Sequence, residues 1–500
     1  MNARVTILDA VDDANLFAPW FREPATWAAW RAFLAALFAL KMSSEQLAIY
    51  QHCTGRSAPP TQPATEAWLV CGRRAGKSFI LALCAVFLAC FFDYRKYLAP
   101  GERGTVLIIA TNSKQARVIF RYVRALLTYI PMLAKLIERE TADSFDLSNG
   151  TTIEVHPASM KTVRGYSIVA ALCDEIAFWP HEDAAEPDYE VLNALRPGMA
   201  TIPNAMLLCA SSPYARRGAL WDAWRKHYGR DDDPILVWKA ATRVMNPTVG
   251  EHVVAAASEQ DPASAAAEWL AEFRSDIESF ISREAVEACI SYDVRERSPM
   301  EHTRFYAAVD PSGGSADSMT LAIGHRQGDV VVVDALRERK PPFSPEDVVS
   351  EFAELLKSYR VSKVVGDRYA GEWPREQFRK AGIGYDLAQK PKSDLFRDLL
   401  PLLNSRRIDL LDDARLVTQL VSLERRTGRG TGRDSVDHAP GAHDDLANCC
   451  AGLAATAKRG TYDSSLDWVS GPDPDKDFQR QRLSQHILRT GGFYRQSRGF

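Results

Sequence analysis

Apolar and polar positions alternate along this chain in a rhythm that changes near residue 245. Before that point, short unbroken apolar runs at 67–71, 105–110, 168–173 and 205–210 have strand length and lack polar interruption. That is the pattern of strands buried on both faces. Between them, 79–92 and 113–128 read as helices, and 144–155 reads as a hairpin with Asn149-Gly150 at its tight turn. Strands alternating with helices predict an α/β domain with a mostly parallel, doubly wound sheet. Two candidate helices precede it, at 24–42 and 43–54, and a Pro- and Thr-rich linker spans 57–65. Residues 246–300 are rich in Ala and Glu with helical spacing, which predicts a linker or lid. The pattern restarts at Arg304 with three strands (305–309, 319–325, 330–336), a helix (345–359) and a strand (362–366). Helix and strand then alternate up to a last helix at 444–458. The expected organisation is a helical segment at 1–60, an α/β domain at 61–245, the linker or lid at 246–300, a second α/β domain at 301–460 and a tail at 461–500.

Composition narrows the class. Five hundred residues provide for two or three domains, each with its own core. The net charge of −3 gives no global attraction to nucleic acid, so any such contact must be local. The tail carries five arginines and no acid from Phe478 onward and reads as a mobile basic segment. Nine cysteines, scattered and without C-x-x-C spacing, point to a reducing cytosol rather than to a disulfide scaffold or a zinc site. The first residues lack the pattern of a secretory signal. The longest apolar run, 79–92, is shorter than a membrane span needs.

Two chemistries are written on this frame. Gly72-Arg73-Arg74-Ala75-Gly76-Lys77-Ser78 lies between a predicted strand and a predicted helix. Such a loop turns backbone N–H groups toward phosphates, with Lys77 for the β/γ-phosphates of ATP and the Ser78 hydroxyl for Mg²⁺. Cys71 stands where the usual pattern has its first glycine. About a hundred residues later an apolar strand delivers Asp174 and Glu175, the first suited to hold Mg²⁺ and the second to polarise an attacking water. Ser211-Ser212-Pro213, after the next apolar strand, is a further candidate for sensing the γ-phosphate. Arg73 and Arg164 are candidate guanidinium partners of the transferred phosphoryl group; a surface salt bridge is the alternative for either, and for Arg164 about as good a one.

The second chemistry rests on spaced carboxylates. Asp310 and Asp367 end predicted strands, and Asp444-Asp445 open the last helix. Carboxylates brought together repel unless a cation joins them, and oxygen ligands suit Mg²⁺ or Mn²⁺. Two such ions stabilise the attacking water and the leaving oxygen of a phosphodiester. Asp317, Asp334 and His443 read as structural. The segment 427–433, Thr-Gly-Arg-Gly-Thr-Gly-Arg, is a basic hairpin tip with the chemistry to touch DNA phosphates. Three consecutive strands followed by alternating helix and strand is the order of a ribonuclease-H-like domain.

In this order the motifs Gly-Arg-Arg-Ala-Gly-Lys-Ser, Arg164-Gly165, Cys-Asp-Glu, Ser-Ser-Pro, Val-Asp-Pro-Ser-Gly-Gly, Val-Gly-Asp and His-Asp-Asp-Leu-Ala-Asn resemble the large terminase subunit of tailed bacteriophages and prophages. The resemblance covers roughly 40–460 and takes in the deviant phosphate loop. It implies an ATPase domain, a linker or lid and a ribonuclease-H-like endonuclease. It implies a subunit of a DNA-packaging motor, active in the bacterial host's cytoplasm and not in a membrane. The implied partners are double-stranded DNA, the portal of a procapsid, a small terminase subunit and further copies of the chain in a ring of about five. By similarity Arg73 and Arg164 are arginine fingers, Arg164 acting on a neighbour's ATP, and Gln46 or Gln51 reads adenine. The resemblance leaves open which of Asp444 and Asp445 is the nearer metal ligand. Two rival readings remain: a helicase-like repair ATPase, for which 246–300 is too short to form a second motor lobe, and an inactive docking protein, disfavoured because every required position holds a competent residue.

Overall fold

A computed structural model of the chain describes residues 5–159, 163–180, 187–314, 317–366, 373–427, 434–439 and 442–459. The expected basic tail, Asp367 and most of the 427–433 segment lie outside these residues. The described residues pack as two units, one within 5–281 and 417–444 and one within 282–416 and 445–459. The sequence pattern assigns 246–300 to a linker and all of 301–460 to one domain. In the structure 246–281 and 417–444 pack with the first unit instead.

The first unit is built on an eight-stranded sheet. Its strands are β1 (Glu66–Cys71), β2 (Gly104–Ala110), β3 (Ile137–Glu140), β4 (Ser144–Leu147), β5 (Thr151–Pro157), β6 (Ser167–Asp174), β7 (Met206–Ser211) and β8 (Ile235–Ala240), in the order β3-β4-β5-β2-β6-β7-β1-β8. All neighbours are parallel except in the β3-β4-β5 meander, where Gly150 (φ +83°) makes the turn between β4 and β5. Because side chains alternate across a strand, each apolar run feeds two cores. Leu69, Ile108, Leu172 and Leu208 join one core with the N-terminal helices and the Lys77–Phe91 and Ser113–Thr128 helices. Val70, Ile109, Cys173 and Cys209 join another with the Pro187–Met199 and Gly218–His227 helices. Burial on both sides explains why these strands read as unbroken apolar runs. β8 escapes the sequence pattern because Lys239 interrupts its apolar run.

A small antiparallel sheet in this unit joins Ile277–Ser279, Leu423–Arg426 and Ser435–His438. It is fastened by a buried carboxylate, Glu424, which accepts from Tyr214 (2.8 Å) and Arg426 (3.2 Å) and is paired with Arg217. The 246–300 segment is only partly helical, at Glu251–Gln260, Pro262–Leu270 and Arg283–Glu287.

The second unit holds a seven-stranded sheet. Its order is Ile290–Ser291, Ile408–Leu411, Val330–Arg339, Met319–Gln327, Phe305–Asp310, Lys363–Gly366, Gly384–Leu387. The three consecutive strands are antiparallel to one another, and the later ones join in parallel. Ala307, Val309, Leu321 and Ile323 pack with the Pro345–Ser358 helix. The opposite face receives the Asp445–Arg459 helix, where Cys449 Sγ donates to the Ala308 carbonyl (2.9 Å). Asp334, read from the sequence as structural, is fully buried and paired with His325 Nδ1 at 2.6 Å. Among the described residues no helix is long and apolar enough to cross a membrane.

Candidate functional site

Parallel register assembles the phosphate-loop site. Val70 is level with Ser211, and Ala210 is level with Asp174, so β1, β7 and β6 end side by side. The loop after β1 turns through left-handed residues Arg74 (φ +60°) and Gly76 (φ +100°), and Gly76 caps the Lys77–Phe91 helix. Cys71 is accommodated because it is still a strand residue, fully buried and parallel to Ala240; burial pushes its thiol up to about 12. Gly72 is the position that cannot carry a side chain. A Cβ there would collide with Thr242 Oγ1 and lie 2.9 Å from the Glu268 and Trp269 carbonyl oxygens. The loop carbonyls are themselves held: Arg73 O accepts from Thr242 (2.7 Å), Arg74 O from Asn246 (2.8 Å) and Ala75 O from Trp30 (2.8 Å).

The charged groups at this edge are bonded to one another. Buried Lys77 donates to Cys71 O (3.2 Å), Gly72 O (3.1 Å) and Ser212 Oγ (3.1 Å), and pairs with Glu175 Oε1 at 3.2 Å. Glu175 Oε2 accepts from Ser211 Oγ and the Ser212 N–H, both at 3.1 Å. Glu175 has φ +50°, a conformation that costs a non-glycine residue about 1 kcal/mol or more and that the surroundings must enforce. Fully buried Trp179 helps, donating to the Asp174 carbonyl at 3.0 Å. Asp174 is completely buried, and its Oδ2 accepts from Ser78 Oγ (3.0 Å) and Gln115 Nε2 (3.2 Å). Burial first, and the neighbouring Glu175 charge second, raise its carboxyl to about 6. Asp174 Oδ1 is buried without a hydrogen-bond partner among the described residues. A hard cation is the partner such an oxygen lacks, so Ser78 and Asp174 fit Mg²⁺.

The remaining nucleotide-site candidates are placed as follows. Arg73 is half exposed, bonded by its N–H to Glu268 O (2.5 Å) and by its guanidinium to Glu268 Oε1 (3.3 Å). Exposed Arg164 precedes the start of β6, whereas Asp174 ends it; eight strand residues separate the two ends by roughly 23 Å. Gln46 closes the capping box of the Ser44–Thr54 helix with Ser43, and Gln51 donates to Ser57 O (2.8 Å). Neither glutamine lines the cavity of about 1060 Å³ that opens beside Ala75 and Gly76 between Trp20, Trp27 and Asn246. Sequence reasoning missed Gln115. The signal was available, since the Ser113–Thr128 helix starts where β2 ends, and β2 neighbours β6.

In the second unit Asp310 ends a central strand, opposite Thr320. Thr320 Oγ1 donates to the Asp445 carbonyl (2.9 Å), which brings the start of the last helix to this strand end. Asn448, one turn along, donates from Nδ2 to Asp310 Oδ2 at 2.8 Å. Gly366 lies beside Val309 in parallel register and directly precedes Asp367, which is outside the described residues. Asp444 is buried and is the last residue packing with the first unit. Among the described residues no group of three or more His, Cys, Asp or Glu is placed to hold a metal ion. The donor chemistry that is described, oxygens of Asp310, Asp445 and Asn448, is that of a hard cation site.

Residues 69–187, which hold the loop, Ser78, Asp174 and Glu175, match the family described as terminase large subunit, T4likevirus-type, N-terminal. Over these residues the chain is similar to the large terminase subunits. Comparison with curated proteins gives no match. Among solved structures, the HK97 bacteriophage large terminase is 17% identical over 78% of this chain and 91% of that one, with a TM-score of 0.35. The large terminase nuclease of thermophilic phage G20c is 16% identical over 34% and 95%, with a TM-score of 0.31. A large terminase from another thermophilic bacteriophage is 11% identical over 81% and 96%, with a TM-score of 0.34. Similarities at that level fix neither chemistry nor partners. The likeness to large terminases rests on residues 69–187, which carry the phosphate loop and its two acids.

Proposed function

We propose that this chain hydrolyses ATP to move double-stranded DNA into a procapsid and cuts that DNA with a separate, metal-dependent endonuclease site. The observation that carries the reading is the Lys77–Glu175–Ser212 and Ser78–Asp174–Gln115 network at the level ends of β1, β6 and β7, inside the segment that matches large terminases. Lys77 exchanges its loop carbonyls for phosphate oxygens when ATP enters. That exchange, together with the pull of the γ-phosphate on Ser212, frees Glu175 to orient the attacking water. Mg²⁺, when held by Ser78 and Asp174, neutralises charge on the transferred phosphoryl group. The aromatic cavity at Trp20 and Trp27 fits the base, which leaves Gln46 and Gln51 to hold the Ser44–Thr54 helix and the linker after it. Arg73 serves the nucleotide of its own subunit by releasing Glu268. Arg164, at the far end of β6, acts on the nucleotide of a neighbouring copy in a ring of about five.

At a separate site Asp310, Asp367 and the Asp444-Asp445 pair would hold two divalent cations, Mg²⁺ or Mn²⁺, which would supply the charge stabilisation for phosphodiester hydrolysis. The portal, a small terminase subunit and the host cytoplasm complete the setting. The test is the full-length protein assayed for ATP turnover with and without linear DNA, and for Mn²⁺-dependent nicking of plasmid. DNA-stimulated turnover together with nicking is expected. A folded protein with neither activity contradicts the proposal and favours a docking role.

A further inference from the structure

The Asp445–Arg459 helix meets the Asp310 strand along a defined face. Asp445, Asn448, Cys449 and Gly452 follow one another at helical i, i+3, i+4, i+7 spacing, so they share that face. Thr320 bonds to the carbonyl of the first, and Cys449 Sγ bonds to Ala308 O. Gly452 permits the approach, since a Cβ there would stand 3.2 Å from Ala308 Cβ. These contacts fix the helix register and set Asn448 level with the Asp310 carboxylate. Only its amide nitrogen can face a carboxylate, and Nδ2 donates to Asp310 Oδ2 at 2.8 Å. The other end of the same amide, Oδ1, is buried and has no hydrogen-bond partner among the described residues. Asn448 also lines a cavity of about 20 Å³ with Gly366 and Lys392, room for a single water.

Resting on the nuclease reading above, we propose that Asn448 is the positioning residue of the metal site. Its N–H locks the Asp310 carboxylate in one orientation and withdraws part of its charge. Its Oδ1 is left to accept from a water in the small cavity. A group that orients a metal ligand in this way sets metal affinity more than the rate at saturation, and losing it typically costs about 10–100-fold in affinity. Neither property follows if Asn448 merely fills space between helix and strand.

The test titrates Mn²⁺ against the full-length chain carrying Asn448→Leu, which keeps the branching at Cγ and removes both polar ends, with Asp310→Ala alongside. Plasmid nicking is followed as a function of Mn²⁺. The Mn²⁺-induced rise in melting temperature is measured without nucleotide in an Asp174→Asn background, so that the phosphate-loop site does not contribute. The half-saturating Mn²⁺ concentration is expected to rise at least about tenfold in both readouts, with the nicking rate at saturation within a few-fold of the parent. Half-saturation unchanged from the parent, or a fall in saturating rate alone, overturns the assignment. Should Asn448→Leu fail to fold, Asn448→Ala, which cannot overfill the contact, is held to the same criterion. Nicking that persists in Asp310→Ala removes the nuclease reading itself, an outcome distinct from the others because Asn448 variants need not be consulted.

Discussion

In the first unit, the groups at the phosphate loop satisfy one another: Lys77 with Glu175 and Ser212, and Asp174 with Ser78 and Gln115. In the second, Asp310 accepts from the neutral amide of Asn448, where Glu175 is paired with an ammonium. The contrast separates two ways of holding carboxylates together. On the proposed function, Lys77 keeps the place of the phosphate beside Glu175, whereas the carboxylates that would hold cations, Asp174 and Asp310, are oriented by neutral donors. The loop site is preformed by strand register, whereas the carboxylate site depends on how one helix docks.

The sharpest way to break that comparison is Glu175→Gln. Turnover should fall about 10²–10³-fold while ATP still binds, because Lys77, Ser78 and Asp174 are untouched. Single-turnover kinetics beside nucleotide-binding isotherms separate the two effects, and parental turnover would take Glu175 out of the reaction.

Next in size is Glu424→Ala. It strips a buried carboxylate from Tyr214, Arg217 and Arg426, and such a loss costs about 3 kcal/mol, less whatever water restores to the partly exposed arginines. Calorimetry should show the first unit melting earlier with the second unit's transition unmoved. Two transitions shifting together would mean that 417–444 does not belong to the first unit alone.

Smaller still is the effect of Asp174→Asn in nucleotide- and metal-free protein. The folded carboxyl titrates at about 6 against an ordinary value of 3.8. Burial therefore penalises the ionised form above pH 6, and the penalty disappears as pH falls toward 4, because the folded state then takes up a proton that the unfolded state does not. At pH 7 the variant should be more stable than the parent by on the order of 2 kcal/mol. At pH 4 the two should coincide. Denaturant melts at both pH values check this, and a gap that widens on acidification would reverse the assigned cause.

The sequence exposed what local pattern encodes. Strands buried on both faces appear as apolar runs, and the loop motif lies between strand and helix, so β1, β2, β6, β7 and the Asp174-Glu175 pair were legible. So were the three consecutive strands leading from Asp310, and the hairpin at Asn149-Gly150. What stayed hidden depends on neighbours across the sheet. Gln115 reaches Asp174 only because β2 lies beside β6. Thr242, just past the last strand, and Asn246, where the segment that reads as linker begins, hold loop carbonyls. Asn448 is visible in the motif, but its bond to Asp310 depends on the glycine at 452 that lets the helix approach. The 417–444 segment looked like part of the second domain because its strands follow that domain's in sequence, while the bonds that hold it come from Tyr214 and Arg217.

The central claim is that one chain carries two independent hydrolytic sites, Lys77 serving one and Asp310 the other. Crossing Lys77→Ala with Asp310→Ala in the full-length protein, and measuring ATP turnover and Mn²⁺-dependent plasmid nicking on each, tests it most directly. Lys77→Ala should lose ATP turnover by at least about a hundredfold and keep nicking, and Asp310→Ala should lose nicking and keep turnover. Loss of both activities in either folded variant would contradict the claim.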